Sequence, residues 1–77
     1  MDKNKFDAII PIITASLADR IMAQYGIPED KALMNLYESE LYAALENEAT
    51  KVWQYSVEKL FDLYKNEKQN GRLELPK

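Results

Sequence analysis

The fold is decided by residues 6–30, which read FDAIIPIITASLADRIMAQYGIPED. Large apolar residues recur in this stretch at steps of three and four positions, the spacing that places side chains on one face of an α-helix. These residues are Phe6, Ile9, Ile10, Ile13, Leu17 and Ile21. The pattern predicts a first helix that ends at Tyr25, because Gly26 favours the left-handed conformation that terminates helices.

The start of this first helix is left open by Pro11. A helix that begins near Ile9 or Ile10 places the proline in its first turn, where the missing N–H costs nothing. A helix that begins near Lys3 places the proline in its interior instead. The sequence is compatible with both starts.

Pro28 suits the first position of a second helix, and Glu29 and Asp30 would then lie at the positive end of its dipole. This helix is predicted to run to about Glu38. Its expected inner face consists of Ala32, Leu33, Leu36 and Tyr37. Ser39 is a candidate N-cap of a short third helix, although the same residues also fit one longer, uninterrupted helix.

The region between the third and fourth helices loses the helical period. Residues 51–55 alternate polar and apolar side chains, several of them β-branched or aromatic, which favours an extended connector near residues 50–55. Ser56 is a candidate N-cap of a last helix that ends before Asn70. The expected inner face of this helix consists of Val57, Leu60, Phe61 and Tyr64.

Together these elements predict an all-α protein, a small bundle of three longer helices plus one short helix. The 77 residues suffice for one domain, expected over residues 1–71, with residues 72–77 as an extended or frayed tail. The apolar run at residues 8–18 is too short to span a bilayer. Asp2 and Asp7 disfavour its interpretation as a signal peptide.

The composition excludes most familiar active sites. The chain contains no histidine, no cysteine and only two glycines, so it lacks the usual general base, the thiolate and the glycine-rich phosphate loop. A formal net charge of -3 disfavours binding to nucleic acid. We therefore predict a protein that is not an enzyme, has no cofactor or metal site, and binds neither nucleic acid nor membrane. The absence of cysteine fits a cytoplasmic protein.

Acidic side chains bracket the third helix, at Glu38, Glu40, Glu46 and Glu48. Their spacing matches neither a calcium loop nor a di-iron motif, which predicts a solvated acidic face. The hydroxyl groups of Thr50 and Ser56 lie near lysines but have no base beside them, so helix capping is the expected role.

The second half of the chain is rich in aromatic residues, namely Tyr37, Tyr42, Trp53, Tyr55, Phe61 and Tyr64. We expect most of them to pack in the core. Rings that carry one polar atom are also favoured at protein interfaces. The candidate partner-binding residues are Trp53 and Tyr55, which lie on the irregular connector, and Tyr42.

Three segments carry a resemblance to known proteins: LYESELY at 36–42, NEATKVW at 47–53 and YSVEKLF at 55–61. Over residues 36–64 the chain resembles short helical bacterial proteins of unassigned function, some of them encoded beside toxin–antitoxin genes. The resemblance implies a small cytoplasmic partner protein. It transfers no site residue.

The favoured function is a small protein–protein interaction or regulatory module, antitoxin-like in the sense of that resemblance. A DNA-binding helix-turn-helix with its turn at residues 25–28 is one alternative, disfavoured because Glu29 and Asp30 would face phosphate. A small carboxylate-dependent enzyme is the other. Ile12 and Met22 widen the apolar arc of the first helix, which predicts a homodimer that buries the remaining apolar surface.

Overall fold

The structure, a computed structural model, describes residues 3–75, and all regular structure within them is helical. Four α-helices have 23, 9, 7 and 14 residues. Their bounds are Lys3–Tyr25 (α1), Glu29–Tyr37 (α2), Glu40–Glu46 (α3) and Val57–Asn70 (α4). Helix α1 packs against α2 and α4, and α3 packs against α4. The all-α prediction is confirmed. No helix among the described residues combines the length and apolar character needed to cross a membrane.

Helix α1 begins at Lys3, so Pro11 lies in its interior. Because proline has no N–H, the carbonyl of Asp7 does not receive the usual helical hydrogen bond from residue 11. The apolar stripe predicted from the sequence faces the core, with Leu17 and Ile21 fully buried. Ile12 lies on the opposite side of the helix and is 67% exposed.

Glycine and proline separate α1 from α2 as predicted. Gly26 has φ 64° and its N–H donates to the carbonyl of Met22 at 2.9 Å, which closes the last turn of α1. Pro28 is the N-cap of α2 rather than its first helical residue, and its carbonyl accepts the N–H of Ala32 at 3.0 Å. The predicted boundary is therefore correct to within one residue.

Ser39 interrupts the chain between α2 and α3, which confirms the break rather than one long helix. Its Oγ accepts the N–H of Tyr42 at 3.1 Å. The prediction that Tyr37 lies on the inner face is wrong, since this ring is 52% exposed. Leu36 is fully buried, and consecutive residues of a helix point about 100° apart, so the buried Leu36 directs its neighbour outward.

The predicted extended connector near residues 50–55 is also wrong. Two short 3₁₀ turns, Glu48–Thr50 and Val52–Gln54, occupy this region, and Lys51 joins them with φ 58°. Within residues 3–75 there is no strand with which an extended segment could pair. The turns instead make local hydrogen bonds and place Val52 in the core at 1% exposure.

Helix α4 begins as predicted and ends one residue later than predicted, at Asn70. The Oγ of Ser56 accepts the N–H of Lys59 at 3.1 Å, and Gly71 closes the helix with φ 78°. Its buried face consists of Leu60, Phe61, Leu63 and Tyr64. Leu63 was not expected there, and Val57 is only half-buried.

Carboxylates join α3, α4 and the C-terminal segment. The two oxygens of Glu67 accept the N–H groups of Glu40 at 2.9 Å and Leu41 at 3.0 Å, so a residue of α4 caps the start of α3. The carboxylate of Glu40 in turn accepts the N–H of Leu73 at 2.7 Å. The side chain of Leu73 packs against the core, which fixes the segment that follows Gly71.

More of the apolar side chains of α1 contact the core than we predicted from the sequence. Of the wide arc of α1, Met22 and Ile9 pack partly against the core, and only Ile12 among the large residues is strongly exposed. The chain exposes 5054 Å². A compact monomer of 8.9 kDa is expected to expose about 4,800 Å². The large apolar and aromatic side chains that stay exposed are Ile12, Tyr25, Met34, Tyr37, Tyr55 and Leu75. The homodimer that would bury such surface stays a prediction.

Candidate interaction groove

An open groove of about 320 Å³ lies between α1 and α2. Its apolar walls are formed by Ile10, Pro11, Ala15, Ala18, Leu33 and Tyr37. Tyr42, near the start of α3, lines the same groove. Because Ala15 and Ala18 are short, they leave space where larger side chains would meet Leu33 across the two helices.

Two tyrosines form one wall of the groove. The rings of Tyr37 and Tyr42 meet edge to face with their centres 4.9 Å apart, a favourable arrangement for aromatic pairs. Tyr37 is 52% exposed, and Tyr42 is the more buried of the two rings. The pair therefore forms a supported aromatic surface rather than a loose side chain.

The hydroxyl of Tyr42 stays protonated at neutral pH. Burial, reinforced by the Glu46 carboxylate, raises the pKa of Tyr42 above its usual value, and a hydrogen bond with Thr14 partly opposes the increase. Thr14 is itself buried and its hydroxyl donates to the carbonyl of Ile10 at 2.7 Å. A neutral phenol that is already hydrogen-bonded is suited to binding and not to general-base chemistry.

A smaller depression of about 190 Å³ continues the groove past its α3 end. The two depressions share Ile10 and Pro11, and the second also contacts Phe6. The two depressions therefore adjoin along one side of α1, and the second is the more polar of the two. Asp7 and Glu46 lie at this end.

Charge along the groove is of one sign. Asp19 and Glu29 line the end near the α1–α2 turn, opposite the end that carries Asp7 and Glu46. No lysine or arginine is among the residues that line either depression. The groove therefore has apolar walls, with carboxylates at both ends.

The three candidate partner-binding residues do not come together in this groove. Tyr42 lines it, but Trp53 and Tyr55 line neither depression. The indole N–H of Trp53 donates to the carbonyl of Glu48 at 3.0 Å, and its ring packs edge to face on Phe6 at 5.8 Å between centres. Trp53 thus contributes to the chain's own packing, while Tyr55 is 36% exposed at the entry to α4.

The other side-chain groups from the sequence have structural roles. Thr50 donates its hydroxyl to the carbonyls of Ala44 at 2.7 Å and Asn47 at 2.9 Å, and Ser56 caps α4. In the part of the chain that the structure describes, no group of three or more acidic residues is placed to hold a metal ion. Glu40, one of the four acidic residues around α3, binds a backbone N–H instead.

Sequence reasoning missed most of the groove. Pro11 and Ala15 carry no signal of binding by themselves, and Leu33 and Tyr37 were assigned to the core. The exposure of Pro11 and Ala15 is visible only in the structure. No protein-family model, curated protein or solved structure matches this chain.

Proposed function

We propose that this protein is a small protein–protein interaction or regulatory module and that the groove between α1 and α2 is its binding site. The observation that carries the proposal is the apolar channel of about 320 Å³ with the Tyr37–Tyr42 pair on its wall. A channel of this size accommodates a few apolar side chains of a partner. Aromatic side chains that are partly buried and held by a neighbour are typical anchors of protein interfaces.

The proposal is of binding rather than catalysis because the groove lacks an activated acid–base pair. The titratable group inside the groove is the half-buried Tyr42 phenol, whose pKa is raised, and the carboxylates lie at the open ends. The proposed setting is cytoplasmic and bacterial, as the resemblance over residues 36–64 implies. In that setting an antitoxin-like protein is a small protein that acts by binding to a partner protein.

Two matched variants, in each of which glutamine replaces an alanine of α1, test the proposal. Ala15→Gln adds a neutral side chain to the groove wall, whereas Ala23→Gln makes the same change at an exposed position of α1 outside the groove. Glutamine is a good helix former, so both variants should fold. Each protein is immobilised, exposed to a lysate of the native host and analysed by quantitative mass spectrometry.

We expect at least one protein that wild type and Ala23→Gln retain equally and Ala15→Gln retains at least fivefold less. Circular dichroism and melting of the three proteins establish that the fold is unchanged. Retention that is the same for all three proteins, or absent from all, would show that the groove is not the binding site.

A homodimer is the second candidate, and the exposed Ile12 favours it. This side chain is 67% exposed on α1, and its neighbours Pro11 and Ala15 are small enough for a second helix to approach closely. Ile12 itself does not line the groove. Pro11 and Ala15 also line the groove, so this dimer and the partner complex would share part of the surface of α1.

A further inference from the structure

The two ends of the groove are separated by a defined length. Asp7 and Asp19 are twelve positions apart on the same helix, which corresponds to about 18 Å at 1.5 Å per residue. Glu46 lines the same depression as Asp7, and Glu29 lines the same depression as Asp19. Each end thus presents a pair of carboxylates, with apolar surface between them.

We infer that the groove, if it is the binding site proposed above, takes an amphipathic α-helix with apolar residues in its centre and a lysine or arginine at each end. About twelve residues of helix match the distance between the two acidic ends. The apolar residues of the ligand, at helical spacing, enter the space beside Ala15 and Leu33. The basic residues then reach Asp7 and Asp19.

A helix fits this surface better than an extended segment. The groove walls are helices whose backbone groups are paired within α1 and α2, and the described residues contain no strand edge to which a peptide could add. An extended ligand would therefore leave its own backbone groups unpaired against apolar side chains. A helical ligand brings its backbone hydrogen bonds with it.

The charge pattern also argues against a second copy of this chain in the groove. A symmetric contact of groove with groove places each acidic end against the same kind of acidic end. Like charges brought together in an interface oppose association. A ligand with basic ends has the complementary pattern.

A display library of helical 14-residue peptides tests the inference with the full-length protein. Peptides that bind the wild-type protein are enriched from the library. The binding of the enriched peptides to Ala15→Gln and to Ala23→Gln is then measured in parallel. We expect enriched peptides that lose binding to Ala15→Gln but not to Ala23→Gln, with apolar residues at helical spacing and lysine or arginine about eleven to twelve positions apart.

The acidic ends of the groove are then neutralised by substitution, and the affinity for one enriched peptide is measured. Asp7→Asn and Asp19→Asn should each weaken binding about two- to fivefold, and the double variant roughly four- to 25-fold, because these are exposed charge pairs. Glu58→Gln removes an exposed carboxylate on α4, away from the groove, and should leave the affinity unchanged. The weakening should shrink as salt is added.

The outcomes separate the two proposals. Peptides that depend on the groove but show no excess of basic residues, or that bind the double variant equally well, would overturn the basic-ended helix and leave the binding site in place. A selection without any groove-dependent peptide would overturn both proposals. A homodimer that Ala15→Gln dissociates and Ile12→Glu leaves intact would assign the groove to a second copy and overturn the inference.

Discussion

Replacing Glu67 by glutamine tests the contact that holds α3 against α4. The carboxylate accepts two N–H groups, those of Glu40 and Leu41, at 2.9 and 3.0 Å. Glutamine keeps the shape of the side chain but has only one acceptor oxygen, and its amide group would face an N–H. The change therefore removes one hydrogen bond, the charge that strengthens both, and the favourable interaction with the start of α3.

The expected loss is about 1–2 kcal/mol. Each hydrogen bond to a charged group contributes roughly 1.5–3 kcal/mol when its partner is left unpaired in the interior. The hydrogen bond from Glu40 is exposed and the one from Leu41 is partly buried, so water replaces part of the loss. An N-cap value of roughly 0.5–2 kcal/mol is therefore the better guide. For a domain of this size the melting temperature should fall by about 4–16 °C.

Thermal melting and amide hydrogen exchange measure the effect. The amides of Glu40 and Leu41 should exchange faster in Glu67→Gln, because they are the groups that lose their acceptor. Glu38→Gln is the control, since this exposed residue is the C-cap of α2 and should change stability by less than about 0.5 kcal/mol. A Glu67→Gln protein that melts within one degree of this control would refute the reasoning.

Three further predictions concern the core, the pH dependence and the oligomeric state. Leu17→Ala should cost roughly 2–5 kcal/mol, because this side chain is fully buried, and an unchanged urea midpoint would contradict it. Burial raises the pKa of Tyr64 to about 12, so the unfolded state loses this proton first and the free energy of unfolding should fall from pH 10 to 12. Tyr64→Phe should lessen that fall. Identical pH profiles of the free energy of unfolding for wild type and Tyr64→Phe would exclude Tyr64 as its cause. If the dimer forms through α1, light scattering should give a dimer mass that Ile12→Glu halves, whereas a monomer mass at about 100 µM would exclude the dimer.

The parts of the fold that the sequence predicted well depend on local interactions. Gly26, Ser39 and Ser56 each bind backbone groups within four residues, so their roles follow from residue type and spacing. The apolar stripe of α1 is equally local, because it needs only the helical period. These signals sufficed for the end of α1 and the starts of α2 and α4, while the sequence is compatible with two starts of α1 and with α2 and α3 as one helix.

The errors arose where distant residues decide the outcome. Tyr37 has the character of a core residue, but the space beside Leu36 is already filled and the ring faces solvent. Glu67 binds backbone groups 26 and 27 positions away, which no local pattern reveals. The alternation near Val52 suits a strand, yet a lone strand has no partner and the segment forms 3₁₀ turns instead.

The groove depends on the same kind of distant relation, and this explains why only Tyr42 was singled out in advance. Its width comes from short side chains on α1 that face α2, and residues of this size are also common where nothing binds. Filling such a space with further methylene groups would add roughly 0.8 kcal/mol each in buried surface. A small domain that keeps the space beside the exposed Ala15 open, with Tyr37 on the wall of the same groove, forgoes that stability in favour of an open apolar surface. Because the same surface ends in carboxylates on both sides, ligand charge and ligand length become separate determinants of binding, and each can be varied without changing the other.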